Sequence, residues 1–168
     1  MLILVLRFAH VFFGALWVGM MAFQTFFLMP ALGEAGSDAA KVMAALARRR
    51  IPVIMLVTAL IALVSGMWLF QLLSGGQLVA LMVTPMGLAF ALGGAISLIA
   101  FLLGVLVMRP AMMRSLRLAE SLASASAEER ASRSAEIQRL RARGSGVGRM
   151  VTILLLFALA AMAVARYL

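Results

Sequence analysis

Four long apolar runs alternate with three shorter connections along the chain. The runs cover residues 2–29, 51–73, 86–108 and about 150–166, and the last is the shortest. About 20 consecutive apolar residues are enough for a helix to cross a bilayer. The pattern therefore predicts an all-α fold, an integral membrane four-helix bundle that forms one domain over residues 1–168.

Prolines mark where some of these helices are expected to begin and end. Pro30 is expected to end the first span, and Pro52 suits the first turn of the second, where its missing N–H does no harm. The first run has no basic start and no convincing cleavage site after it. We therefore interpret it as a retained span and not as a signal peptide.

The connections before the second and fourth spans are also expected to be helical. In residues 30–50, Ser37 is placed to cap a helix that runs on into the second span. In residues 109–149, Ser126 and Glu129 form a capping-box pattern, and Gly144 is expected to end that helix. The glycine-rich stretch 144–148 is then a hinge before the fourth span.

Composition indicates that the bilayer is the solvent of these helices. Apolar residues make up 65% of the chain and charged residues only 12%, too few to cover a soluble domain of this size. The absence of cysteine excludes disulfides, thiolate metal sites and cysteine nucleophiles. The predicted spans contain no carboxylate, and the chain has no P-loop or zinc-protease motif, so catalysis is not expected.

Positive charge is concentrated in two of the three connections. Residues 30–50 carry four basic residues and residues 109–149 carry nine, of fifteen in the chain. By the positive-inside rule both connections are cytoplasmic, which places both termini on the periplasmic side of a bacterial inner membrane. The same arginines make anionic lipid headgroups expected partners. Because topology explains the net charge of +9, nucleic acid is not an expected partner.

Two helical faces collect the unusual residues of the spans. Spacings of three and four place each set on one face, and polar or small residues in lipid are expected to face neighbouring helices. The set in the first span is Arg7, His10, Gly14, Trp17, Met21 and Gln24. The set in the third span is Gly87, Ala91, Gly94, Ser97, Phe101 and Gly104.

His10, the only histidine, is the candidate for a structural role or a ligand role. It lies about 12 Å from the start of the first span, at 1.5 Å per residue. Small residues at the same depth, including Ser65 and Gly66, leave room beside it. As a structural residue, His10 would hydrogen-bond across helices to Ser65 or Ser97.

Two ligand roles compete with the structural one. As an axial ligand to haem b, His10 would have Gly14 one turn away to admit the porphyrin, Arg7 to neutralise a propionate, and Trp17 further along the same face. As a copper ligand, His10 would act with methionine sulfurs, which suit Cu(I). The methionines nearest its depth are Met67 and Met162.

The first span resembles that of a class of small bacterial membrane proteins that includes the copper resistance D family. The matching residues are Arg7-Phe-Ala-His10, then Trp17-Val-Gly19, then Pro30. The resemblance implies an inner-membrane four-helix unit associated with copper, with copper or haem held at His10. The alternative is a structural accessory subunit of a larger respiratory or photosynthetic complex, packing against a membrane-protein partner or a second copy. An enzyme of the haem pathway is a third hypothesis.

Overall fold

The protein is helical along nearly all of its length, as predicted. The structure, a computed structural model, describes residues 1–122, 124 and 126–168, without the side chains of Ser37 and Ala40. No strand occurs in these residues, which confirms the all-α fold. The helices are α1 Leu2–Glu34, α2 Ala39–Arg48, α3 Ile51–Ser74, α4 Leu78–Met82, α5 Pro85–Glu120 and α6 Ala127–Val164, followed by a short 3-10 turn Ala165–Tyr167.

Four of the helices, α1, α3, α5 and α6, are long and apolar enough to cross a membrane. Most of their large apolar side chains point away from the other helices, as a lipid-facing surface requires. The protein is therefore a multi-pass membrane protein. Residues 30–50 and 109–149 lie at one end of the bundle, called here the arginine-rich end.

The first span does not end at Pro30, contrary to the sequence-based expectation. The helix continues to Glu34, and it widens into a π turn, Gln24–Leu28, just before the proline. In that turn the Met29 N–H bonds to the Gln24 carbonyl, five residues back. This shift accommodates a proline ring that would crowd the carbonyl four residues back in a regular helix.

α5 repeats this arrangement at the same end of the bundle. A π turn, Gly104–Met108, directly precedes Arg109 and Pro110, and the Arg109 N–H bonds to the Gly104 carbonyl. The helix then runs on to Glu120, beyond the predicted end of the third span. α1 and α5, the two spans whose carboxyl-terminal ends lie at the arginine-rich end, therefore both continue past a proline without breaking.

The fourth span is the carboxyl-terminal part of the longest helix and not a short separate one. α6 has 38 residues and passes through Gly144 and the expected hinge without a break. Its start is as predicted, because the Ser126 hydroxyl accepts from the Glu129 N–H at 3.3 Å and the Glu129 carboxylate accepts from the Ser126 N–H at 3.1 Å. Residues 127–149, called here the arm of α6, pack antiparallel to the end of α5, with an Arg114–Glu136 ion pair at 2.5 Å.

The first connection forms a helix that is separate from the second span. α2 ends at Arg48, and Arg50 takes a left-handed backbone, φ 56°, before α3 begins. The expected continuous helix is therefore wrong, and the residue at the cap position of α2 is Asp38. The side chain of Ser37, the predicted cap, lies outside the described part of the structure.

The spans pack in sequence order around a ring, with the closest pairs α1–α3 and α5–α6. Small residues such as Ala59, Ala62 and Ala100 are almost fully buried between them, which lets the backbones approach closely. Leu155 and Val151 of α6 complete the centre of the core.

A polar link joins the first and last spans inside this core. The Thr152 hydroxyl is fully buried and lies 2.7 Å from the Thr25 hydroxyl, 2.9 Å from the Gly148 carbonyl and 3.3 Å from the Met21 carbonyl. Thr25 belongs to the π turn of α1. The link thus ties that turn to α6.

The tight glycine contact between α5 and α6 is at Gly93, one residue from the predicted Gly94. A Cβ built on Gly93 would lie 2.9 Å from the Met162 side chain and 3.3 Å from the Ala158 carbonyl. A Cβ on Gly94 would meet no heavy atom within 4 Å. The face that α5 buries is thus rotated by one position here from the predicted one.

Candidate functional site

His10 is fixed in the contact between the first two spans. Its Nδ1 lies 2.8 Å from the Ala62 carbonyl oxygen of α3. A carbonyl oxygen only accepts, so Nδ1 carries the proton of this hydrogen bond. In the neutral ring, Nε2 is then the nitrogen with a free lone pair, the form in which histidine binds metals.

The predicted partners of His10 make other hydrogen bonds. The Ser65 hydroxyl donates to the Ile61 carbonyl at 2.5 Å, and the Ser97 hydroxyl donates to the Gly93 carbonyl at 2.8 Å. The expected bond across the helices does form, but with a backbone carbonyl. Every residue has a backbone carbonyl, so the sequence does not indicate that Ala62 is the acceptor.

Gly66 provides the surface on which the imidazole lies. A Cβ built on Gly66 would be 2.6 Å from Cε1, 2.8 Å from Nδ1 and 3.6 Å from Nε2 of His10. The first two distances are too short for a real contact, so any larger residue here would displace the ring. Gly66 was expected near the depth of His10, and the structure brings the two into direct contact.

The other candidates for haem contacts on α1 lie in different surroundings. Gly14 is half-buried, and a Cβ built on it would meet no heavy atom within 4 Å, so there is open space one turn from His10. Arg7 is exposed on the other side of His10, nearer the amino terminus. Trp17 is buried in the core, its ring 6.4 Å from that of Phe101 in an edge-to-face contact.

The two methionines predicted as copper ligands lie in separate settings. Met67 is next to Gly66 but is 65% exposed. Met162 is half-buried and packs where α6 meets Gly93 of α5. In the residues that the structure describes, no group of three histidine, cysteine or carboxylate side chains could hold a metal ion. A copper site at His10 would therefore depend on thioether sulfurs.

A cavity lies near the arginine-rich end and was not expected from the sequence. Its volume is about 140 Å³, and it extends from Trp17 and Ala59 in the core to Leu116 beyond the π turn of α5. Half of the chain's fourteen methionines line it. They are Met21, Met29, Met43, Met55, Met108, Met112 and Met113. No single segment of the sequence indicates this convergence, because the seven methionines come from four different helices.

The arginine-rich end has more cations than internal partners. Arg48, Arg49, Arg50 and Arg109 are exposed, and none forms an ion pair within the described residues. Lys41 by contrast pairs with Asp38 at 2.8 Å. Three of these arginines adjoin residues that line the cavity: Arg48 follows Ala47, Arg50 precedes Ile51 and Arg109 follows Met108. Arg109 also lines the cavity itself.

Comparison of the chain with protein-family models, with curated proteins and with solved structures found no match. The basis for a function is therefore the geometry around His10 and the cavity.

Proposed function

We propose that the protein is a small binding protein of the bacterial inner membrane, of the copper resistance D type, that holds haem b at His10. The observation that supports this most directly is the 2.8 Å hydrogen bond from Nδ1 to the Ala62 carbonyl. It fixes both the ring orientation and the tautomer that leaves Nε2 free. An imidazole held in this way would bind the haem iron through Nε2.

The surroundings of His10 favour haem over copper. The open space at Gly14 gives a flat macrocycle room beside the helix, one turn from the ligand. Arg7 supplies a cation on the opposite side of His10, where it would neutralise a propionate. A copper site would need Met67 and Met162 as partners, and these lie on the bundle surface and against Gly93 respectively.

An absorption spectrum and metal analysis of the purified protein test this proposal. After expression with haem and copper both supplied, the wild type is expected to show a Soret band that His10→Ala abolishes. Gly14→Leu, which fills the open space, is expected to weaken the band. Gly94→Leu, an equal enlargement on another helix, is expected to leave it unchanged.

Other results of the same experiment would refute the haem site. Stoichiometric copper that is lost in His10→Ala would replace haem with copper as the ligand. A colourless, metal-free wild type would reject both and would favour the structural accessory subunit. A Soret band that survives in His10→Ala would place the haem elsewhere.

The proposed orientation has both termini in the periplasm and the arginine-rich end in the cytoplasm. This orientation follows from the positive-inside rule, because the segments 30–50 and 109–149 carry most of the basic residues. The chain has no cysteine, so single cysteines report cleanly. In spheroplasts, a membrane-impermeant thiol reagent is expected to label Ser74→Cys and not Ser126→Cys, and the reverse pattern would overturn the orientation.

A further inference from the structure

We infer that the methionine-lined cavity binds one acyl chain of an anionic phospholipid, whose headgroup lies among Arg48, Arg49, Arg50 and Arg109. This site is separate from His10 and does not depend on a ligand there. The proposal combines an apolar cavity that runs into the bundle with cations at one end that form no ion pair with any residue the structure describes.

The lining of the cavity suits a flexible hydrocarbon chain. It is almost entirely apolar, and its exceptions are Gln24 and Arg109. Methionine side chains are unbranched and polarizable, so they adapt to apolar partners of variable shape. Along α1 the lining extends from Trp17 to Met29, about 18 Å at 1.5 Å per residue, which is the direction in which a lipid chain lies in the bilayer.

The volume limits what the cavity can hold. A cavity of about 140 Å³ is close to the roughly 150 Å³ of an engineered apolar cavity that binds benzene. That space takes a section of one hydrocarbon chain and is too small for a porphyrin. The second chain of a phospholipid would stay in the surrounding bilayer.

α2 forms one wall of the cavity at the level of the headgroups. Met43, Leu46 and Ala47 of this helix line the cavity, whereas Lys41 and Arg48 lie outside the lining. α2 therefore has an apolar face towards the bundle and a basic one away from it, as an interfacial helix has. It brings the arginines at its carboxyl end to the mouth of an apolar cavity.

The charge at the mouth selects the class of lipid. Each basic residue near an anionic membrane surface contributes about 1 kcal/mol of attraction, or about fivefold in affinity. Among the described residues, the four arginines have no ion pair that a lipid phosphate would have to break. Zwitterionic lipids offer the same chains without the net charge, so they are expected to bind more weakly.

Native mass spectrometry of the full chain in detergent tests the site, with phosphatidylglycerol and phosphatidylcholine of identical chains as probes. The wild type is expected to retain one phosphatidylglycerol at least about fivefold more strongly than phosphatidylcholine. Arg109→Gln is expected to lower phosphatidylglycerol binding about fivefold. Arg139→Gln, which removes an exposed arginine on the arm of α6, is expected to have little effect.

Two glycines of α5 provide a matched test of the cavity itself. A Cβ built on Gly104 or on Gly94 meets no heavy atom within 4 Å, but only Gly104 lines the cavity. Gly104→Leu is therefore expected to fill the cavity and reduce retained lipid at least about fivefold, with Gly94→Leu unchanged. His10→Ala is expected to retain the lipid, which separates this site from the haem site.

Three outcomes would overturn the proposal. Equal retention of the two phospholipids would remove the role of charge, and equal behaviour of the two leucine variants would place the lipid elsewhere. Oleate added to the same sample should not displace phosphatidylglycerol. If it does so at an equal concentration, a free fatty acid and not a phospholipid occupies the cavity.

Discussion

Replacing Gly66 with alanine tests the packing of the His10 ring against α3. The added Cβ would lie 2.6 Å from Cε1 and 2.8 Å from Nδ1, so the imidazole must move away. Any such movement lengthens the 2.8 Å hydrogen bond to the Ala62 carbonyl. The substitution therefore acts on His10 without changing it.

The expected penalty can be separated from the helix preference of alanine. Exchange of glycine for alanine within a helix by itself stabilises by up to about 1 kcal/mol. Gly14→Ala measures that gain on a neighbouring helix, since its new Cβ meets nothing within 4 Å. Overpacking costs about 1–3 kcal/mol, and a lost hydrogen bond between membrane helices about 0.6–1.7 kcal/mol. The ring either stays and is overpacked or moves and loses its hydrogen bond, so the two costs are not added. Gly66→Ala is therefore expected to be about 1–3 kcal/mol less stable than Gly14→Ala.

Reversible unfolding in mixed detergent micelles provides the free energies of unfolding. The same pair of alanine variants is also measured in a His10→Ala background, where the ring is gone and the penalty at Gly66 is expected to disappear. Equal stability of the two single variants would refute the contact. A penalty at Gly66 that persists without the histidine would assign it to another neighbour.

The remaining predictions concern the contacts of α6. Gly93→Leu is expected to destabilise the protein by about 1–3 kcal/mol, because the new Cβ alone would meet Met162 at 2.9 Å. Gly94→Leu is expected to be mild, since a Cβ there meets nothing within 4 Å. Equal losses of thermal stability in the two variants would place the contact elsewhere. Thr152→Val removes the bonds to Thr25 and Met21 and is expected to cost about 0.6–1.7 kcal/mol in the same unfolding assay, and a neutral result would show that the link contributes no stability.

The features that sequence predicted well are those set by local chemistry. Length and hydropathy located four helices able to span a membrane, because the bilayer requires each crossing segment to bond its own backbone. The capping box of Ser126 and Glu129 formed as expected, since both hydrogen bonds join residues three positions apart.

The predicted helix boundaries were wrong where packing between helices outweighed local sequence preference. Gly144 would end an isolated helix, but the arm of α6 is held against the end of α5 by tertiary contacts such as Arg114–Glu136. The first helix continues past Pro30 because a π turn precedes the proline, and residue type does not predict such a turn. At Arg50 the prediction was wrong in the opposite sense, since its left-handed backbone breaks a helix that was predicted to continue into the second span.

The surroundings of His10 were predictable only where residue type determines them. His10 was recognisable as a lone polar side chain in an apolar helix, and Gly66 as a small residue at its depth. The partner atom is a backbone carbonyl, which any residue at position 62 would supply. The methionine cavity needed the relative positions of four helices, and no single segment of the sequence contains that information.

The paired π turns act like one-residue insertions in otherwise regular helices. An extra residue advances the helical phase by about 100°, so each side chain after the turn faces a direction that uninterrupted 3.6-residue counting would not assign to it. The segments that end at Glu34 and Glu120 are therefore rotated by about 100° from the direction that the halves with His10 and Gly93 would otherwise give them. Sequence changes that add or delete one residue within Gln24–Leu28 or Gly104–Met108 would re-aim the arginine-rich end while leaving the other half of the bundle in register.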